Sequence, residues 1–345
     1  MAANTTQVAV VGAGPTGVTV ATLLAQAGID VVVLERWKDV YPRPRAVHLD
    51  DEVFRILARL GVEEELRAST RPARGLQLVD GRHRPLARFS RDVGPQRHGF
   101  PQANMFEQPE LEAILRRNLR RFPAAELRAG VEVTAVHQHD TGVLLHLVYS
   151  ATGDGSTLTA DYVLGCDGAG SLVREAIGAT MTGQRFEQRW LVVDADIRTD
   201  LGAWDGVHQV CDSRRAATFM RIGEHRHRWE FALLDDEHST GLQDKDALKQ
   251  LLAPWLADID DQQWDLRRVA EYTFRAQVAD RWRLRRLFIL GDAAHLTPPF
   301  VGQGMGAGIR DAANLGWKLS RVLQGTMTEA AIDSYEENAN PTPGS

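Results

Sequence analysis

Residues 7–11, apolar from Val8 onward, form a run that stops at Gly12, the pattern of a short buried strand. From 18 to 27 apolar residues recur at helical spacing, and Gly28 ends the helix they predict. A β-branched run over 29–34 predicts a second strand, finishing on Glu35. Asp50 caps a predicted helix that reaches Gly61, with Val53, Ile56, Leu57 and Leu60 on its buried face. Strands over 75–79 and 85–89 flank Asp80-Gly81, a hairpin signal. An amphipathic helix over 109–122 is stopped by Pro123, and strands follow over 131–138, 143–149 and 162–164. Between 182 and 272 the pattern changes to short strand-like runs, over 190–197, 207–211, 217–222 and 229–234, with one clear helix over 244–255. An antiparallel sheet fits this stretch better than β-α-β units. A buried strand over 287–290 and a helix from Asp311 to Leu319 then return to the earlier pattern.

The first turn carries the chemistry. Gly12-Ala13-Gly14-Pro15-Thr16-Gly17 is G-x-G-x-x-G at a strand-to-helix junction, and Glu35 follows 21 residues after Gly14. Gly12 permits the tight turn, Gly14 lets a pyrophosphate approach the backbone, and Gly17 lets helix and strand pack closely. The helix N-terminus offers N–H groups to phosphate, and Glu35 suits the hydroxyls of a ribose. The motif predicts a dinucleotide site and leaves FAD and NAD(P) both open. Far downstream, Gly291-Asp292 follows a buried strand, and Pro298-Pro299-Phe300 and Gly302-Gln303-Gly304-Met305-Gly306 lead into a helix. A second cradle so far from the first suits a larger dinucleotide with a tricyclic ring.

With these motifs the chain resembles the FAD-dependent aromatic hydroxylases, flavoprotein monooxygenases of the p-hydroxybenzoate hydroxylase fold. Three motifs stand in the family's order: the fingerprint with Glu35, the Gly165-Cys166-Asp167-Gly168 element running to Arg174, and Gly291-Asp292. Arg45-Ala46-Val47-His48-Leu49-Asp50-Asp51-Glu52, Trp190 to Asp194 and Arg228-Trp229-Glu230-Phe231 are similar to the 3-(3-hydroxyphenyl)propionate hydroxylase branch. The resemblance implies an α/β fold, in which a discontinuous Rossmann-like FAD-binding domain holds an inserted, mainly antiparallel β-sheet substrate domain. The expected division is 1–74, 101–181 and 273–345 for the FAD-binding domain, with 75–100 lending a hairpin to the substrate domain at 182–272.

The resemblance also implies roles. Pro15, Thr16, Glu35, Arg36 and Val133 would contact FAD, with Glu35 on the adenosine ribose. Arg45 and Gln108 would lie along the pyrophosphate and ribityl chain, and Asp292 would hold ribityl hydroxyls. Asp167 and Arg174 would lie near FAD and the reduced nicotinamide. Gly302, Gln303, Gly304 and Met305 would present N–H groups to the pyrimidine edge of the flavin, with Pro299 stiffening the wall beside its reacting edge. Structural readings stay open for several of these. Arg45 suits a surface ion pair, Gln108 a helix cap before Pro109, and Asp167 with Arg174 a structural ion pair. His295 suits a flavin-side or a purely structural place. The implied reaction uses NAD(P)H, O2 and a flavin C4a-hydroperoxide to hydroxylate a small phenolic substrate. His48 and His208 are candidates for activating the phenol, and Arg221 for anchoring a substrate carboxylate.

Composition adds exclusions. Forty basic against 46 acidic residues, a net charge of −6, provide no field for nucleic acid or an anionic membrane. Two cysteines build no disulfide framework, and no apolar run approaches the ~18 residues of a membrane span. A cytoplasmic protein, with a homodimer compatible, is the expectation. His137-x-His139 and His225-x-His227 lack further ligands for a metal and read as solvated strand histidines; no metal is expected. The P-loop pattern, the W-x-W-x-I-P signature of flavin halogenases and a second G-x-G-x-x-G are absent. A ring-tailoring hydroxylase of polyketides or antibiotics remains an alternative. So does a truncated, non-catalytic flavin-binding relative, because Tyr335 to Pro341 lacks the arginine of the family's Y-E-x-E-R-x-P and the chain is short for the family.

Overall fold

The computed structural model describes residues 4–339, apart from 43–44, 93, 95–96, 236, 238, 243–244, 257–258 and 299–301. Continuous apolar runs need cover on both faces, and the first sheet provides it. Its order is Arg283–Leu284, Leu287–Ile289, Gly155–Gly165, Thr5–Val11, Val31–Glu35 and Ala125–Ala129, with Val143–Tyr149 and Val131–Gln138 continuing from the Gly155–Gly165 strand. The four contacts among the strands from Leu287–Ile289 to Ala125–Ala129 are all parallel. Helix Pro15–Gln26 lies on this sheet beside the long helix Gly304–Leu323. A Cβ on Gly308 would touch Thr16 and one on Gly316 would touch Leu23, so the two helices run in the same direction.

The second sheet has the order His295–Leu296, Trp264–Ala279, Met181–Ile197, Arg226–Ala232, Ala217–Arg221, Val207–Cys211, Gly75–Asp80 and Pro85–Ser90. Its pairs are antiparallel except Val207–Cys211 with Gly75–Asp80. The α/β architecture with a mainly antiparallel second sheet is therefore the one expected. The 16-residue strand Trp264–Ala279 was not legible in the pattern, because charged residues interrupt its apolar ones. Cross-strand pairs accommodate those charges, as Arg189 with Glu271 at 2.7 Å and Arg275 with Glu187 at 3.4 Å.

Alternation sorts this sheet into two faces. Leu191, Val193, Phe219, Trp229 and Phe231 pack on helix Lys245–Leu256 through Leu248 and Leu252. On the other face Met220 and Ile222 join Val47, Ala73, Ala103 and Met105 in a separate apolar cluster. A three-stranded ribbon of His48–Leu49, Asn104–Phe106 and Thr70–Pro72 contains Met105 and carries Val47, Ala73 and Ala103 at the ends of its strands. The helix expected over 50–61 is Asp51–Leu57, capped by Asp50 Oδ1, which accepts from Val53 N at 2.9 Å. It passes through a widened turn at Gly61 into Glu63–Ser69. Among the described residues no helix is long and apolar enough to cross a membrane.

Candidate functional site

The turn after Thr5–Val11 has no room for side chains. Gly12 has a φ of +101°, and a Cβ there would lie 2.4 Å from the Cys166 carbonyl oxygen. A Cβ on Gly17 would lie 2.0 Å from the Gly12 carbonyl oxygen. Helix Pro15–Gln26 can thus start directly over the strand end, and no side chain caps it. A Cβ on Gly14 would meet nothing within 4 Å. Open space beside uncapped N–H groups is what a pyrophosphate requires. The residues present fit the group.

Glu35, only 7% exposed, accepts from Ala13 N at 2.7 Å and Trp37 N at 3.0 Å. Each carboxylate oxygen keeps acceptor capacity for a ribose hydroxyl. Buried Arg116 lies 3.9 Å from Glu35 and donates to Ala13 O at 3.2 Å. Arg116 was not singled out in the sequence, although Gln108, Glu112 and Arg116 stand at i, i+4 and i+8 of helix Gln108–Leu119. Burial raises the Glu112 carboxyl above its usual range, with Gln108 and Arg116 opposing. Arg36 is exposed, its guanidinium 5.3 Å from the Trp37 ring centre, and Val133 is half-buried at the rim of the first core.

Gln108 is buried, and its Oε1 accepts from Arg45 N at 2.9 Å and Ala46 N at 2.7 Å. It fixes the path of this segment. The Arg45 carbonyl in turn accepts from Arg228 Nη1 at 2.9 Å. Arg228 belongs to the second sheet, 1% exposed, and is gripped by Asp194 at 2.7 Å and 3.0 Å. Glu230 lies 3.9 Å from Arg228, and burial pushes its carboxyl up. The branch-like motifs around Asp194 and Arg228 thus lock the second sheet onto the Arg45 segment.

Val11, Gly165 and Ile289 lie in register on three adjacent parallel strands. The fingerprint, Asp167 and Asp292 therefore leave the sheet along one edge, the carboxyl edge where open α/β sheets bind ligands. Asp167 accepts from Ser171 Oγ at 2.5 Å and Leu172 N at 2.8 Å, so in this structure it braces the start of helix Leu172–Ile177, which Ser171 caps. Burial raises its carboxyl. Arg174 does not pair with it. Arg174 Nη1 donates instead to Ala293 O at 2.9 Å, joining the second motif to the third. Asp292 is exposed and has no hydrogen-bond partner among the described residues.

Thr16 Oγ1 sits where side chains on Gly308 and Gly291 would be, 2.3 Å and 2.9 Å from their ideal Cβ positions. Fingerprint, Gly291-Asp292 and the long helix meet there. Gln303 precedes that helix and Met305 lies in its first turn, again with no side-chain cap. Arg310 clamps the helix start to the preceding motif, donating to Asp50 at 2.7 Å and Glu52 at 2.6 Å. Buried Asp311 accepts from Gly291 N at 2.9 Å and pairs with His295 Nε2 at 2.8 Å, which gives His295 a structural place. Burial would lower the His295 pKa, but the Asp311 contact outweighs it and the net shift is upward. This pair adds stability below the ordinary histidine value, lost as pH rises through the raised one. Asp311→Asn is expected to flatten the fall in urea midpoint between pH 6 and 9.

The catalytic candidates part company. His48 lies against Gly302, whose Cβ would be 3.3 Å from His48 Cβ. His208 points to the opposite face of the second sheet, its ring 5.4 Å from Phe219, and its Nε2 engages Trp204 O at 2.8 Å. Strand alternation, invisible without the pairing register, turns it away from the Arg45 segment. Arg221 is consumed by its own turn, donating to Gly223 O at 3.1 Å and Glu224 O at 2.7 Å. Pro299 lies outside the described residues. His227 is buried rather than solvated, stacked on Phe219, and burial lowers its pKa to about 4.

A family model described as FAD binding domain matches residues 5–344. The chain is 38% identical over 334 residues to a probable NADH-specific resorcinol 4-hydroxylase of Rhodococcus jostii (strain RHA1), covering 97% of this chain and 62% of that protein. It is 36% identical over 336 residues to a 3-(3-hydroxy-phenyl)propionate/3-hydroxycinnamic acid hydroxylase of Burkholderia cenocepacia (strain HI2424), covering 96% and 60%. The crystal structure of aklavinone-11 hydroxylase with FAD and aklavinone is 28% identical, with a TM-score of 0.83, over 96% of this chain and 65% of that one. That of p-nitrophenol 4-monooxygenase from Pseudomonas putida DLL-E4 is 26% identical, with a TM-score of 0.88, over 96% and 84%. The chain spans about three fifths of the length of the curated relatives it matches. With the fingerprint, the acid after the second strand and the second cradle along one sheet edge, and a family match over nearly its whole length, the chain belongs to the FAD binding domain family.

Proposed function

We propose that this protein hydroxylates a phenolic ring, using FAD, NAD(P)H and O2. The observation that carries the reading is the convergence of two uncapped, parallel helix starts and the free carboxylate of Asp292 at one sheet edge. Bound there, FAD would supply the redox chemistry by which reduced nicotinamide and O2 deliver one oxygen to an aromatic ring. Glu35 would hold the ribose, the N–H groups after Gly14 the pyrophosphate, and Asp292 the ribityl hydroxyls. The N–H groups from Gly302 to Met305 would stabilise negative charge on the pyrimidine edge of the reduced ring.

The apolar face of the second sheet, with Met220 and Ile222 over Val47 and Met105, would keep water from the reacting ring. Arg228 would keep that face in place by holding the Arg45 carbonyl. The hydroxylase names of the relatives support a phenolic substrate, and the NADH-specific name of one supports a nicotinamide reductant. The likeness to aklavinone-11 hydroxylase supports a second substrate class, a fused polyketide ring.

The test is flavin absorption of the purified protein, then NADH and NADPH oxidation with resorcinol, 3-(3-hydroxyphenyl)propionate and aklavinone. Oxidation is expected to be stimulated by one of them, with product exceeding hydrogen peroxide. A protein that stays colourless with added FAD would overturn the reading, and one that binds FAD yet ignores every phenol would leave only the binding.

A further inference from the structure

His48 occupies an unusual place for a polar ring. It stands in the two-residue strand His48–Leu49, opposite Met105 and one residue after Val47, at the edge of the apolar cluster under the second sheet. On its other side lies Gly302, whose Cβ would be 3.6 Å from Nδ1. The Arg310 clamp to Asp50 and Glu52 holds these two segments together. The ring thus sits where the second cradle meets the apolar wall.

Within this seam the imidazole makes no hydrogen bond among the described residues, and Nδ1 is fully buried. A buried polar atom without a partner costs free energy that a bound ligand would recover. An apolar wall with one convergent polar group is the usual build of a site for a small aromatic ligand. Burial lowers the His48 pKa to about 4, Asp50 opposing and Arg91 adding to the effect. At neutral pH the ring is therefore uncharged, with one N–H donor and one free acceptor nitrogen.

We propose that His48 is the group that recognises the phenolic hydroxyl of the substrate, accepting its hydrogen bond and orienting the ring against the Gly302 segment. This rests on the hydroxylase reading above. The bond is one of recognition and polarisation. A phenol titrates near ~10, so a histidine this weakly basic does not keep the proton. The site discriminates by the hydroxyl itself, since a ligand lacking the donor would leave His48 unsatisfied.

The experiment needs no turnover. Resorcinol and 1,3-difluorobenzene, nearly isosteric but without O–H donors, are titrated into the oxidised FAD-loaded protein, following the flavin absorption band. FAD affinity is measured in parallel by fluorescence. His48→Ala is expected to weaken resorcinol about 10- to 100-fold. It should leave difluorobenzene and FAD affinity unchanged. His48→Gln, which keeps an acceptor, should restore part of the loss. Equal weakening of both aromatic ligands would assign His48 a packing role and overturn the proposal. So would a change confined to FAD affinity or to the ligand-free flavin spectrum, which would place the ring on the flavin. A wild-type spectrum that responds to resorcinol, with His48→Ala responding at the same concentration, would overturn this inference alone. A wild-type spectrum indifferent to every phenol would overturn it together with the hydroxylase reading.

Discussion

Asp194→Ala is expected to destabilise the protein by about 3–5 kcal/mol, read as a loss of urea midpoint at pH 7. Asp194 and Arg228 are each 1% exposed and joined by two hydrogen bonds of 2.7 Å and 3.0 Å. Removing the carboxylate takes two charge-assisted hydrogen bonds from a guanidinium in a site that water cannot reach. Arg268, 3.7 Å from Asp194, loses that carboxylate at the same time. Replacing the pair together, as Asp194→Leu with Arg228→Met, should cost less, because the most deeply buried guanidinium is then removed along with its carboxylate. FAD affinity should not recover with stability. In the double variant the Arg45 carbonyl has lost its donor outright, and the segment held from the other side by Gln108 is freed on one flank. Equal stability loss in the single and double variants would show that the pair acts by packing alone.

Gly17→Ala should abolish FAD binding while leaving the second sheet folded. The added carbon would lie 2.0 Å from the Gly12 carbonyl oxygen and 3.2 Å from Cys166 Cβ, both on fixed strand ends. Relief requires helix Pro15–Gln26 to move off the sheet, which withdraws its N–H groups from the phosphate position and opens a gap against buried Val20 and Leu24. Overpacking of this kind typically costs ~1–3 kcal/mol, and backbone contact places it at the upper end. Gly14→Ala is the matched control. Its Cβ meets nothing within 4 Å, so stability should be nearly unchanged while FAD affinity falls. A Gly17→Ala protein retaining wild-type FAD affinity would refute the tight-turn account.

Much of the cradle was legible because it is made of local backbone sterics. Gly12, Gly17 and Glu35 are bound by a turn whose spacing the chain itself carries. Asp292 stood out because an acid after a buried strand has little reason to be there without a ligand. Roles that depend on distant partners were not legible. The sequence places Arg45 and Gln108 along the pyrophosphate and ribityl chain, and only the structure adds that Gln108 gives its carbonyl oxygen to backbone N–H groups of the Arg45 segment. For Asp167 and Arg174, expected near FAD and the nicotinamide with an ion pair as the structural reading, no such pair forms: Asp167 accepts from Leu172 N and Arg174 reaches Ala293. Arg310, Asp311 and Arg116 carried no motif of their own, and their partners lie up to 260 residues away.

The sequence by itself determined the strand–turn–helix that receives a dinucleotide, the second cradle, and the change to a second, sheet-forming region. Hydrophobic period and glycine sterics act over a few residues, so a linear reading captures them. Tertiary structure alone decided which polar residues face the cradle. A strand's side chains alternate, and only pairing register shows that His208 turns toward helix Lys245–Leu256 while Arg228 turns toward Arg45. Only packing of Gly302, just before the long helix, against His48 left its Nδ1 buried without a partner among the described residues. Burial and charge compensation are sums over the whole fold, and no stretch of chain contains them.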